Sequence, residues 1–175
     1  FTLIYARYSR YVIDLNRDPM GKKLYDDGRS ETTLVPVKTF GEEAIYASTV
    51  PTAAEVARRH ARYYVPYHER IKSTLDDLRK TFNNVLFFDA HSIKRVVKSI
   101  SAEPFPDLIL GDQRQETAAP SLSELALNKL RAGGYSVAHN DPFMGGYLTR
   151  AFGKPHLGVH ALQLEMSQDV YLFDD

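Results

Sequence analysis

From Val159 to Met166 the residues alternate between two sets, His160, Leu162, Leu164 and Met166 in one and Val159, Ala161, Gln163 and Glu165 in the other. That period of two belongs to a β-strand with two different faces, and it constrains the chain more than any other stretch. The second set ends in Glu165, a carboxylate with apolar neighbours. On a largely buried strand such a group must be paired, bound to a metal or water, or protonated, because burial penalises its charged form. On this run alone two explanations stand: a functional carboxylate, since perturbed carboxylates concentrate at active sites, or a structural salt bridge to one of the arginines. Asn140, Gly145, Gly146, Thr149, Arg150 and Gly153 punctuate the approach to the strand.

Further strands are predicted at Thr2–Tyr8, Tyr11–Leu15, Val85–Ala90 and Tyr135–His139. A helix is predicted from Thr52, whose hydroxyl caps while Glu55 reaches back as a capping box. Apolar positions at helical spacing, Val56, Tyr63, Tyr64, Ile71, Leu75 and Leu78, carry it onward. Pro66 interrupts that run, so a kink or a junction of two helices is expected near Val65. A second helix is predicted from about Ser121 to the pair Gly133–Gly134. Gly21–Thr49 and Ser99–Pro120 read as long excursions. Strands alternating with helices favour an α/β fold with a mixed, mostly parallel sheet flanked by helices, in one domain over 1–175. The opening FTLIYARY enters a β-rich segment with no polar lead-in, as if an N-terminal segment were missing.

Charge narrows the partners. The 22 basic and 22 acidic residues cancel, so no global field draws nucleic acid or an anionic membrane. With no cysteine, any metal must be held by histidine and carboxylate. No run approaches a transmembrane length and there is no basic region before a long apolar core, so a soluble, cytoplasmic protein is expected.

Val85–Phe88 is a short apolar run of the kind buried on both faces of a sheet, and Asp89, Ala90, His91 and Ser92 follow it at once. Polar groups at the carboxyl end of a central strand lie where open α/β sheets bind ligands. His91 is therefore a candidate metal ligand, with Asp89 a carboxylate that could orient its ring; a buried imidazole bonded to Asp89 or a carbonyl is the other reading. In the run YSRYVIDLNRDP, Arg10 and Arg17 could each grip a carboxylate through paired hydrogen bonds, with Asn16 adding a donor, which suits an acidic small-molecule substrate. An internal ion-pair network of Arg10, Asp14, Arg17 and Asp18 explains the same residues. Arg150 is a further candidate for substrate binding. Gly145–Gly146 lacks the spacing and partners of a phosphate loop.

Four blocks, ARYSRYVIDLNRDP, YYVPYHERI, FFDAHS and NDPFMGGYLTRAFGKPHLGVHALQLEMSQDVYL, resemble the N-formylglutamate amidohydrolase family over nearly the whole chain. The family is similar in fold and site to zinc carboxypeptidases and aspartoacylases, which implies zinc at strand ends. The resemblance implies His91 as a zinc ligand and Glu165 as the carboxylate that activates water. It implies Asn16 and Arg17 as binders of the substrate carboxylate, and Arg10 as the arginine that holds or polarises the substrate near the scissile carbonyl. The implied reaction is a zinc-dependent hydrolysis of N-formyl-L-glutamate to formate and L-glutamate, as in the last step of one histidine-degradation route.

In the family the first two zinc ligands, a histidine and a nearby acidic residue, precede the DLNR block, and the expectation is that this sequence lacks them. The alternatives are therefore a metal-free binding or interaction module derived from the family, and a deacylase or peptidase acting on a different acyl-amino acid.

Overall fold

A computed structural model describes residues 1–25 and 31–172. They form two compact units, Phe1–Asp76 and Asp77–Asp175.

The first unit is built on a helix. Thr52 caps α1 (Ala53–Arg59) by accepting the Glu55 N–H at 3.3 Å. The Glu55 carboxylate does not complete the box; it takes Arg58 Nε at 2.7 Å and Arg59 Nε at 2.8 Å. A π-helical segment, His60–Tyr64, follows, and α2 runs Val65–Thr81. The expected break at Pro66 is this wide turn. The Val65 N–H reaches back five residues to the His60 carbonyl, which makes room for a proline ring that has no N–H to donate.

Thr2–Tyr8 and Tyr11–Leu15 are not strands. A strand exists only by pairing, and the backbone of 12–17 is satisfied by other means. Arg59 Nη1 donates to the Val12 carbonyl at 2.9 Å, the His68 ring bonds the Leu15 carbonyl at 2.9 Å, and the Tyr64 hydroxyl donates to the Arg17 carbonyl at 2.7 Å. The Asp14 N–H meets the Leu34 carbonyl at 2.7 Å. Three helix side chains replace a neighbouring strand. The expected excursion Gly21–Thr49 carries, among its described residues, only the isolated bridge Lys38–Ala44.

The second unit is a mixed four-stranded sheet in the order β1-β4-β2-β3, with β1 Val85–Ile93, β2 Leu108–Gly111, β3 Val137–His139 and β4 Val159–Ser167. The pairs β1–β4 and β2–β3 are parallel and β2–β4 is antiparallel. Helix α3 (Pro120–Ala132) covers one face: Leu108, Leu110, Leu162 and Leu164 pack with Leu127, and Leu110 is fully buried. Its start is Ala119, with Pro120 as first residue, so Ser121 lies inside the helix and does not cap it. Gly133 ends it, and Gly134 at φ +85° turns the chain away. Helix α4 (Tyr147–Phe152) packs against β4 and β1.

Two expectations about the sheet need correction. Ser99–Pro120 is not wholly an excursion, since it contains β2. Also, β1 is an edge strand among the described residues and not a central one; Leu86 and Phe88 on one face are 45% and 46% exposed. The strand runs on to Ile93, so His91 sits within β1 and not beyond its end. The inner strands are β4 and β2. No helix among the described residues is long and apolar enough to cross a membrane.

Candidate functional site

The faces of β4 are divided as its alternation predicts. Leu162 and Leu164 belong to the core beneath α3, so Ala161, Gln163 and Glu165 point to the opposite face. On β1 the parallel register sets Phe87 beside Ala161, Asp89 beside Gln163 and His91 beside Glu165. On β2 the antiparallel register sets Gly111 beside Gln163 and Ile109 beside Glu165. Four polar side chains, Asp89, His91, Gln163 and Glu165, therefore occupy one patch of one sheet face. Asp89 and Gln163 are buried, while His91 and Glu165 are partly accessible.

Gly111 opens this face to the loop before α4. A side chain there would meet the backbone of Met144 and Gly145 at 2.6 Å, so the glycine lets that loop lie directly against β2. Gly145 takes φ +119°, and Gly146 caps α4. The Gly146 N–H donates to Gln163 Oε1 at 2.6 Å, and Thr149 Oγ1 donates to the Gly146 carbonyl at 2.9 Å. Arg150 Nη2 donates to the Gly145 carbonyl at 3.3 Å, so this arginine braces the glycine turn. Gln163 Nε2 in turn donates to Glu165 Oε1 at 3.3 Å.

The imidazole of His91 is oriented. Its Nε2 lies 2.9 Å from Asp89 Oδ1, a contact that both readings of His91 share. A neutral ring so held carries its proton on Nε2 and keeps a lone pair on Nδ1, the arrangement that suits a ligating histidine. Yet catalytic zinc takes three protein ligands, and among the described residues no three His, Asp or Glu side chains converge. The donors present do not by themselves make a zinc centre.

The first unit gathers its own cluster around Asp14, which is 2% exposed. Arg10 Nη2 and Thr32 Oγ1 both bond Asp14 Oδ2, at 2.5 Å and 3.2 Å, and the Asn16 N–H donates to Oδ1 at 3.0 Å. Burial alone would raise the Asp14 pKa, but the charges of Arg10 and Arg17 with the hydrogen bonds outweigh it and hold the carboxyl below its ordinary range. Arg17 Nε sits 3.6 Å from the same carboxylate and donates to the Thr32 carbonyl at 3.0 Å. The internal network read from the sequence is thus real for Arg10, Asp14 and Arg17. Asp18 stands outside it, its Oδ1 accepting the Met20 N–H at 2.7 Å. Arg10 also lies over the Phe40 ring at 4.8 Å, and its buried Nε has no hydrogen-bond partner among the described residues.

Of the other histidines, His60, Tyr64 and His68 stack at centroid distances of 5.0 Å and 4.0 Å. His160 faces away from Glu165: its Nδ1 accepts the Ala119 N–H at 3.2 Å at the start of α3, and Nε2 bonds Asn84 Oδ1 at 3.2 Å. His139 lies 3.0 Å from Asp112 Oδ2.

Two residues of the site were given no site role by sequence reasoning. Gln163 is one; the alternation put it on Glu165's face, but its bond to Gly146 is not local. Asp112 is the other. Fully buried after β2, it accepts Asn140 Nδ2 at 2.7 Å and the Gln115 N–H at 3.0 Å. Burial pushes its carboxyl up, and the nearby Ser123 hydroxyl, the bonds from Asn140 and Gln115, and the adjacent His139 ring more than reverse this. It anchors Asn140, and with it the start of the loop that covers Gly111.

The sequence model of the N-formylglutamate amidohydrolase family matches residues 1–172. The chain is 38% identical over 169 residues to an N-formylglutamate deformylase of Pseudomonas aeruginosa, a match covering 95% of this chain and 63% of that protein. It is 35% identical over 173 residues to an N-formylglutamate deformylase of Pseudomonas putida, covering 98% and 64%. The crystal structure of N-formylglutamate amidohydrolase from Ralstonia eutropha JMP134 matches with a TM-score of 0.75 at 30% identity, over 94% of this chain and 63% of that one. A gene product of Agrobacterium tumefaciens shares the fold at a TM-score of 0.67 and 22% identity. The chain spans about 63% of the length of the first of these curated relatives.

Proposed function

Because the chain belongs to the N-formylglutamate amidohydrolase family, we propose that the protein hydrolyses N-formyl-L-glutamate to formate and L-glutamate. The observation that carries this reading is the register pairing of Glu165 with His91 beside a buried glutamine, a carboxylate held among polar groups on one sheet face.

Glu165 acts as the general base. It takes a proton from water as the water oxygen bonds to the formyl carbon, and it returns that proton to the nitrogen as the C–N bond breaks. The atoms balance: the amide and one water give formate and the free amino acid. Asn16 and Arg17 bind the glutamate carboxylate, Arg10 holds or polarises the formyl carbonyl, and Arg150 is a further substrate-binding residue; such positioning lowers the entropic part of the barrier. For the whole protein we propose zinc as the metal, with His91 one ligand and the remaining ligands outside the described residues. Bound there, zinc would polarise the carbonyl and acidify water. The reaction suits the final step of a histidine-degradation route in the cytoplasm.

The absence of three converging metal ligands among the described residues favours one competing reading, a metal-free module that binds acidic ligands. Formate release by the full-length protein, with zinc content measured in parallel, separates the two. Glu165→Gln should lower kcat by about 10²–10⁴. Full activity in that variant would remove Glu165 as the base, and a protein with far less than one zinc per chain and no formate release would favour the module.

A further inference from the structure

We propose that Gln163 is the positioning residue for Glu165, locking the carboxylate to the glycine turn through one buried amide; this rests on the reading of Glu165 as the base.

Gln163 is only 4% exposed, on an inner strand of the sheet. A buried amide has four hydrogen-bonding places, and here the partners fix which end is which. The Gly146 N–H donates at 2.6 Å, so the atom receiving it is Oε1. The Nε2 end must then be the one that faces Glu165 Oε1, at 3.3 Å, and an N–H group there can only donate. One side chain thus ties the base to the first residue before α4. The turn it grips is itself fixed: Gly145–Gly146 lies against Gly111, and the Gln113 N–H holds the Met144 carbonyl at 2.7 Å. Glu165 and Gln163 are on one strand at i and i+2, so strand geometry alone brings their Cβ atoms to the same face. It does not set the angle of the carboxylate plane. A donor held rigidly to one oxygen does set it, and with it the direction in which the group meets a water.

The donor and acceptor ends can be tested separately in the full-length protein. Gln163→Glu keeps the size and an acceptor for Gly146 but replaces the N–H facing Glu165 with an oxygen. Gln163→Leu removes both bonds. The expected result for Gln163→Glu is a kcat lowered about 10- to 100-fold with KM and zinc content unchanged, and a lower melting midpoint as well, because a second carboxylate is buried beside Glu165. Gln163→Leu should lower kcat and the melting midpoint together. A Gln163→Glu protein with parental kcat, alongside a Glu165→Gln protein that has lost activity, would overturn the inference and leave Gln163 a brace for the turn alone. Should Glu165→Gln retain activity, the base assignment itself falls. If the Gln163 variants fold poorly, the side-chain amide ¹⁵N signal of Gln163 decides: it moves in Glu165→Ala if the amide is bonded to that carboxylate, and its staying in place overturns the inference.

Discussion

Asp89 Oδ1 lies 2.9 Å from His91 Nε2, two residues along one face of β1. The pair assigns the imidazole proton to one nitrogen and leaves the other as the lone-pair side. In ¹⁵N spectra of neutral His91 a single tautomer protonated at Nε2 is expected. Asp89→Ala should give a mixture of the two tautomers, and a spectrum unchanged by that substitution would show that the carboxylate does not orient the ring.

Gly111→Ala places a methyl group where the Met144 and Gly145 backbone already lies, at 2.6 Å. Backbone cannot step aside as a flexible side chain can, so the expected cost is about 1–3 kcal/mol. Urea denaturation measures it. Because the displaced loop carries Gly146, which bonds Gln163, formate release should fall as well.

Asp14 ties Arg10 and Arg17 inside the first unit. Its carboxyl pKa is depressed from the ordinary 3.8, so its contribution to stability is complete above that value and is lost as pH falls through the lower folded pKa. Asp14→Asn should cost about 2 kcal/mol at neutral pH, less than for a fully buried pair because the Arg10 side chain is 37% exposed. Denaturation curves of parent and variant should converge as the medium is acidified below pH 3.8.

His68 has its pKa lowered from 6.5, first by burial; the Leu15 carbonyl opposes this and His60 adds to it. The unfolded chain therefore binds a proton that the folded chain resists. Stability from the neutral ring is whole above pH 6.5 and declines as pH drops through the folded value. His68→Gln, which keeps an N–H for Leu15, should flatten that decline in chemical denaturation followed from neutral to mildly acid pH.

The sequence was most legible where one element states its own environment. The alternation over Val159–Met166 placed Glu165 opposite the core, and Thr52 marked the start of α1. Where structure depends on remote partners, local pattern misled. The residues of 11–15 alternate as a strand does, yet Arg59, Tyr64 and His68 take up the carbonyls around them. Conversely β2 is four residues, all buried, so LILG carries no alternation; its signal was the apolar run bounded by Pro106–Asp107 and Gly111–Asp112. At the site, His91 and Glu165 were read from blocks of sequence, whereas their adjacency is a matter of register between strands 66 residues apart at Val85–Ile93 and Val159–Ser167, which neither strand encodes alone.

The wide turn His60–Tyr64 also governs how the helix in the first unit tolerates change in length. Each residue of an ordinary helix advances the chain by about 100° around the axis, so one residue more or fewer between Arg59 and Tyr64 rotates everything that follows. Arg59 and the pair Tyr64 and His68 all reach carbonyls of one extended segment, so they must keep their angular phase. Point substitutions at solvent-facing Ala61 or Arg62 leave that phase alone, while a single deletion there detunes it and releases two of the three carbonyls at once.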